Sequence, residues 1–366
     1  MGGMQRRHQP MRERRHWWST ALFAVVVVIG LGVAPPGHVG VQAQPVALTS
    51  GHLELIKQAP ADPISTGQAE AAVVQINTTL DYQNAIGVGT GIVVNPDGEV
   101  LTNNHVVEGA TGISGTNLGT GRTFPIDVLG YDRTHDIALV QLRGAGGLPT
   151  APLGDSNTVA VGDPIVGVGN AGGPNGGLTR EPGTVRALDQ SIVASDDLTG
   201  SSERLTGLIQ IAANLRPGDS GGPLVNGAGQ VVGIDTAASM SYHTSSGGYA
   251  IPINQALAIA DQIRARAPSP TVHVGDTPML GVGVADTRNG GGVAVRQVLR
   301  GSPAAQAGMI GGDVITAFDG NAVGNANALT NILDQHHPGD SVSLTWVDPG
   351  GGQRNANITL APGPPG

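Results

Sequence analysis

Between Ala71 and Ala258 the apolar residues come in short runs, each cut off by a cluster of Gly, Asn, Asp or Pro. Val73 to Ile76, Gly91 to Val94, Ile137 to Leu142, Pro164 to Gly169, Gly207 to Ile211 and Gln230 to Ile234 are examples. Runs of this length separated by turn residues read as strands, and many short strands at regular spacing make a sandwich or a barrel. The 58 glycines among 366 residues and the 3% aromatic content also favour turns and small-residue β structure over a helical bundle. Asn254 to Arg266 has the spacing of a helix that closes such a domain.

The ends of the chain differ from this middle. Arg6, Arg7, Arg12, Arg14 and Arg15 stand against Glu13 ahead of the apolar run Ala21 to Ala34, and Val41-Gln42-Ala43 follows with small residues at the cleavage positions. That is the pattern of a signal peptide over residues 1–43, with Gln44 as the first residue of an exported chain. The run is short for a membrane span, and an uncleaved anchor is the alternative. Residues 44–69 are rich in Pro and polar residues and read as a linker; Ala267-Pro268-Ser269-Pro270 opens a second, over 267–275. Absence of cysteine excludes a disulfide scaffold, a thiol nucleophile and a Cys-based zinc site. A net charge of −9 without a basic patch argues against a nucleic-acid partner. No metal or cofactor is expected.

Chemistry is concentrated in Gly218-Asp219-Ser220-Gly221-Gly222-Pro223-Leu224. Glycines around a serine open backbone angles closed to other residues and leave room for a substrate carbonyl. The amides of Gly218 and Ser220, with Asp219 between them, can then converge on one anion-binding hollow. A serine hydroxyl is a weak nucleophile, so a base and an orienting acid are needed elsewhere. His105, in Thr102-Asn103-Asn104-His105-Val106-Val107, follows a strand and the hairpin signal Asn95-Pro96-Asp97-Gly98. Asp136 opens the apolar strand that continues through Ile137 to Leu142, where an unpaired carboxylate is costly and an imidazolium would pair it. His135, adjacent in a strand, faces the other side and does not share that acid. The order His105, Asp136, Ser220 is that of the chymotrypsin-type double β-barrel. Gly167-Val168-Gly169-Asn170-Ala171-Gly172 matches G-x-G-x-x-G, but no helix follows it, and dinucleotide binding is rejected.

Residues 276–362 contain a second set of signals. Ser302-Pro303-Ala304 starts a helix with an N-cap and Pro at its first position, ending at Gly308. Asn325 caps another, with Ala328, Leu329, Ile332 and Leu333 at helical spacing.

Together, T-N-N-H-V-V, D-I-A-L-V-Q-L, P-G-D-S-G-G-P-L and the C-terminal segment resemble the HtrA (Deg) serine proteases, in particular their secreted actinobacterial members, over roughly residues 70–360. The resemblance implies an all-β chymotrypsin-like double β-barrel protease domain over 70–266 and an α+β PDZ domain over 276–362. It implies a secreted or cell-envelope endopeptidase acting on unfolded or damaged proteins, with Leu280, Gly281 and Val282 presenting amides to peptide C-termini. A latent protease acting mainly as a peptide-binding, chaperone-like module is the rival reading. The family's homotrimer rests on aromatic contacts near the protease N-terminus, for which Tyr82 is the candidate. Two departures concern the substrate pocket formed by Asn214, Asp235, Thr236 and Ala237: Asn214 replaces the family's Ala, and Asp235 its Asn. The resemblance implies a small aliphatic P1 residue; an Asp deep in the pocket would instead recruit a basic one.

Overall fold

Six short strands close on themselves twice. A computed structural model describes residues 64–171, 177–195, 202–236, 247–288 and 290–366; residues 1–43, expected to be a signal peptide, lie outside them. A helical turn, α1 (Gly67–Ala71), leads into β1 (Val73–Leu80), β2 (Ala85–Val93) and β3 (Glu99–Thr102). The short helix α2 (Asn104–Val107) precedes β4 (Gly112–Asn117), β5 (Arg122–Asp132) and β6 (Ile137–Leu142). The strands run in the order β5-β4-β1-β2-β3-β6, and pairing of β5 with β6 closes the ring. The turn between β2 and β3 is the Asn95 to Gly98 hairpin: Asp97 N–H donates to Asn95 Oδ1 at 3.0 Å, and Gly98 takes φ +97°.

The second barrel comprises β7 (Pro164–Gly169), β8 (Thr179–Ser195), β9 (Ser202–Ile211), β10 (Pro223–Asn226), β11 (Val231–Thr236) and β12 (Gly248–Pro252), closed in the order β10-β11-β12-β9-β8-β7. Helix α3 (Ile253–Arg264) follows, close to the expected span. It buries Ile253, Ala256, Ile259, Ala260 and Ile263, a single stripe at helical spacing. That stripe packs on β5 and β6 of the first barrel and on β11 and β12 of the second, so α3 fastens the two together.

The expected linkers are shorter than their composition suggests. Ala69, inside α1, is fully buried and Ile64 packs against the core, so the ordered unit begins before residue 70. Within 267–275, β13 (Val272–Val274) pairs antiparallel with Gly130 to Asp132 of β5. The C-terminal domain then runs through β14 (Pro278–Met279), β15 (Val282–Asp286), β16 (Val293–Val298), α4 (Pro303–Gln306), β17 (Val314–Phe318) and β18 (Asn321–Ala322). It ends with α5 (Ala326–Leu333), β19 (Ser341–Val347), β20 (Gln353–Thr359) and β21 (Ala361–Pro362). Both expected caps form, Ser302 Oγ accepting from Ala305 N and Asn325 Oδ1 from Ala328 N. β15 is an edge of its sheet and packs beside α5.

Ile263 is 3% exposed on α3. Ile263→Ala is expected to lower unfolding free energy by about 2–5 kcal/mol, the cost of a large-to-small change in a packed core, read as a lower denaturant midpoint at unchanged slope.

Candidate active site

The structure brings His105, Asp136 and the Ser220 loop to the seam between the barrels. His105 is the second residue of α2, and its Nδ1 lies 2.9 and 3.0 Å from the two oxygens of Asp136. The His105 backbone N–H also donates to Asp136 Oδ1 at 3.0 Å. Asp136 is 4% exposed and sits at φ +54°, in the turn just before β6 and not within it. A left-handed non-glycine residue is held there by its surroundings: Asn103 Nδ2 donates to its carbonyl at 3.0 Å and Thr236 Oγ1 to its Oδ2 at 3.4 Å. With Nδ1–H committed to the carboxylate, Nε2 of the neutral ring is left as an acceptor. The side chain of His105 is 30% exposed.

His135 does avoid Asp136, for a different reason from the one expected. It lies in the same turn and its Nδ1 bonds Asp132 Oδ2 at 2.8 Å, which raises the imidazole above its ordinary value.

The loop around Ser220 is positioned from the first barrel. Thr90 of β2 donates its N–H to Ser220 O at 2.8 Å and its hydroxyl to Gly218 O at 2.7 Å. Thr102 Oγ1, three residues before His105, donates to Thr90 O at 2.6 Å. On the other side Gly221 N–H donates to Asp235 O at 2.8 Å. The Asp219 carbonyl accepts from Gly222 N at 2.9 Å, and the antiparallel geometry of a peptide unit turns Ser220 N–H to the opposite side of the loop. Gly218 takes φ +100°. The Asp219 amide is used within the loop, donating to Arg216 O at 2.9 Å. Its carboxylate accepts from Ala171 N at 3.0 Å, Arg216 N at 2.9 Å and Thr179 Oγ1.

The expected substrate-pocket residues do not act alike. Asn214 is exposed, and the residue turned inward is Leu215, which a Cβ on Gly167 or Gly248 would strike. Thr236 spends its hydroxyl on Asp136. Asp235 is fully buried and neither carboxyl oxygen has a hydrogen-bond partner, so in this structure it is closed off from solvent. Burial pushes its carboxyl well above the usual range and the Asp219 charge adds to this; the Val168 amide pulls the other way but lies outside hydrogen-bonding geometry. Ala237 lies outside the described residues. Among the described residues, no group of three or more His, Asp or Glu side chains could hold a metal ion.

In the C-terminal domain, Leu280 is buried and Val282 half-buried at the start of β15. Leu280 O accepts from Ala304 N at 3.1 Å; Gly281 O accepts from Leu299 N at 2.9 Å and Ser302 Oγ at 3.2 Å. Because these carbonyls point inward, the amides of Gly281 and Val282 point outward. Gly281 has φ +81°, and a Cβ there would lie 2.2 Å from Ser302 Cβ, so glycine is required by the packing as well as by any ligand.

Thr90, Asn103, Thr102 and Leu215 carry the site's geometry, and the sequence does not assign them these contacts. Thr102 and Asn103 lie within the histidine motif and Leu215 just ahead of the serine motif, whereas Thr90, in β2, carries no such signal.

Comparison with known proteins adds the family. A trypsin-like peptidase domain matches residues 89–234 and a PDZ domain residues 278–360. The serine protease PepD of Mycobacterium tuberculosis is 32% identical over 378 residues, spanning 96% of this chain and 79% of that protein. The putative serine protease HhoA of Synechocystis is 36% identical over 288 residues, 75% of this chain and 70% of its own. The periplasmic pH-dependent serine endoprotease DegQ of Escherichia coli is 34% identical over 272 residues, 70% and 56%. Among solved structures, the HtrA-type protease AlgW with a tripeptide is 28% identical with a TM-score of 0.47, covering 82% of this chain and 98% of that one.

A Cβ on Gly221 would lie 1.9 Å from Thr90 O, at φ +85°. Gly221→Ala is therefore expected to push the Ser220 loop off β2 and to lower turnover by about 10²-fold, as displacements near 1 Å do, with the helix and strand content unchanged by circular dichroism.

Proposed function

The chain belongs to the HtrA/DegP-type serine proteases, a trypsin-like peptidase domain followed by a PDZ domain, and on that premise we propose that His105, Asp136 and Ser220 are its catalytic triad and that it hydrolyses peptide bonds of unfolded or damaged proteins outside the cytoplasm. The observation that carries this reading is the double contact of His105 Nδ1 with a buried carboxylate that also accepts from Thr236, the neighbour of the Asp235 backbone that holds the Ser220 loop.

Ser220 Oγ attacks the scissile carbonyl carbon as its proton passes to His105 Nε2. Asp136 holds the tautomer and stabilises the imidazolium. The developing oxyanion is met by the amides of Gly218 and Ser220. The imidazolium then gives its proton to the leaving amine, and water repeats the sequence to free the acyl-enzyme. Leu215 and Gly248 at the pocket wall support a small aliphatic P1 residue, and the sealing of Asp235 removes the argument for a basic one. Export is supported by the periplasmic relative and by the N-terminal residue pattern. A homotrimer is supported by Tyr82 and Ile86, 51% and 76% exposed near the β1–β2 turn.

Ser220→Ala is expected to lower cleavage of denatured casein by up to about 10⁶-fold in turnover and Asp136→Asn by about 10⁴-fold, both chains folding normally. Substantial turnover by Ser220→Ala would overturn the assignment. Mapping the wild-type cleavage sites should place small aliphatic residues at P1; a majority of Arg or Lys would reverse the pocket reading.

At the PDZ domain, an extended peptide adds to the free edge of β15, its carboxylate held by the outward amides of Gly281 and Val282 and its last side chain placed against α5. A peptide ending in Val is expected to bind at about micromolar affinity or weaker, and its C-terminal amide much more weakly. Equal binding of both, by calorimetry, would show that no carboxylate is read.

A further inference from the structure

Asp235 is the one described residue with both carboxyl oxygens buried and without partners. Its place is defined by β7. A Cβ built on Gly167 would lie 2.9 Å from Asp235 Oδ2, and one built on Gly169 would lie 2.4 Å from Asp219 Oδ1. The two carboxyl groups thus rest on one face of β7, over glycines two residues apart, a spacing of roughly 6.6 Å along a strand. The glycines that mimic a dinucleotide motif are the floor on which two acids sit. Asp219 has three donors. Asp235 has none and suits a neutral acid.

Among the described residues, the other groups around Asp235 supply no counter-charge. β7 contributes Gly167 and Val168, β12 contributes Ala250 opposite Asp235, and the serine loop contributes Leu215 and Asp219. Asp219 is the titratable side chain among these. Arg216 turns its guanidinium away to Glu181 at 2.8 Å. Asp136 is reached only through the neighbouring residue, Thr236. The Asp235 backbone meanwhile grips the serine loop twice, accepting from Gly221 N at 2.8 Å and donating to Gly222 O at 2.7 Å.

Resting on the protease reading above, we propose that Asp235 is a positioning residue that holds the Ser220 loop on β7 only as a neutral carboxylic acid, and that loss of its proton to water opens the loop. A charge there would stand beside Asp219 with no solvent and, among the described residues, no cation to offset it. Burial and Asp219 raise this carboxyl, so the closed loop is favoured where the group is protonated and is lost as pH rises through the raised value. The site gains an alkaline limit that an amide at this position would not impose.

The test is the rate of Ser220 phosphonylation by a fluorophosphonate across neutral to alkaline pH, taken as a ratio within each chain, for the wild type and Asp235→Asn. The wild-type rate is expected to rise as His105 loses its proton and then to fall by about tenfold per pH unit beyond the ionisation of Asp235, while Asp235→Asn rises without falling. Infrared spectra at neutral pH should show a protonated-carboxyl C=O band that persists in Asp334→Asn, the other carboxyl raised by burial, and is lost in Asp235→Asn. Equal alkaline falls in the wild type and Asp235→Asn would overturn the proposal. If Asp235→Asn does not fold, absence of the band from Asp334→Asn overturns it and its presence there supports it. A wild type unlabelled at every pH would overturn the protease reading, and the infrared band would still decide the state of Asp235.

Discussion

The hydrogen bond from the Thr90 amide to the Ser220 carbonyl joins the two barrels at the proposed catalytic site. Thr90 belongs to β2 of the first barrel and Ser220 to the loop before β10 of the second. Thr102, just ahead of α2, holds the Thr90 carbonyl, so a single chain of bonds runs from the segment carrying His105 to the segment carrying Ser220. A catalytic base and nucleophile drawn from separate domains need their relative position held to a fraction of an ångström. Short backbone bonds through a fully buried threonine achieve this more firmly than long side chains would. Helix α3, packed on both barrels, keeps the surrounding seam closed.

The same economy explains the glycines. Gly167, Gly169 and Gly221 are not simply flexible points. Each lies against a group that a Cβ would strike: the Asp235 carboxyl, the Asp219 carboxylate and the Thr90 carbonyl. The active-site region is thus packed backbone to backbone and backbone to acid. Such packing makes room for two buried acidic side chains on one face of β7.

Much of this was legible in sequence because it depends on local chemistry. Strand lengths, the Asn95 to Gly98 turn and the Ser302 and Asn325 caps follow from residues a few positions apart. The order His105, Asp136, Ser220 could be read because each sits in a short motif. What escaped depends on distant pairings. Nothing near Asp235 in sequence shows that its side chain lies over Gly167, and nothing near Asn214 shows that Leu215 faces inward while Asn214 faces water. Residues 272–274 look like a spacer by composition, yet the open edge of β5 recruits them as a strand. Strand alternation separates His135 from Asp136 on paper, whereas both residues lie in a turn and a second acid, Asp132, decides the matter.

The central claim is that the paired His105 and Asp136 activate one serine among all those in the chain. Exhaustive reaction with a fluorophosphonate, followed by intact-mass measurement and peptide mapping, tests it most directly. One adduct per folded chain, located on Ser220 and absent from His105→Ala and from the denatured protein, is the expected result. A folded wild-type chain that takes up no label, or takes it up on another residue, would contradict it.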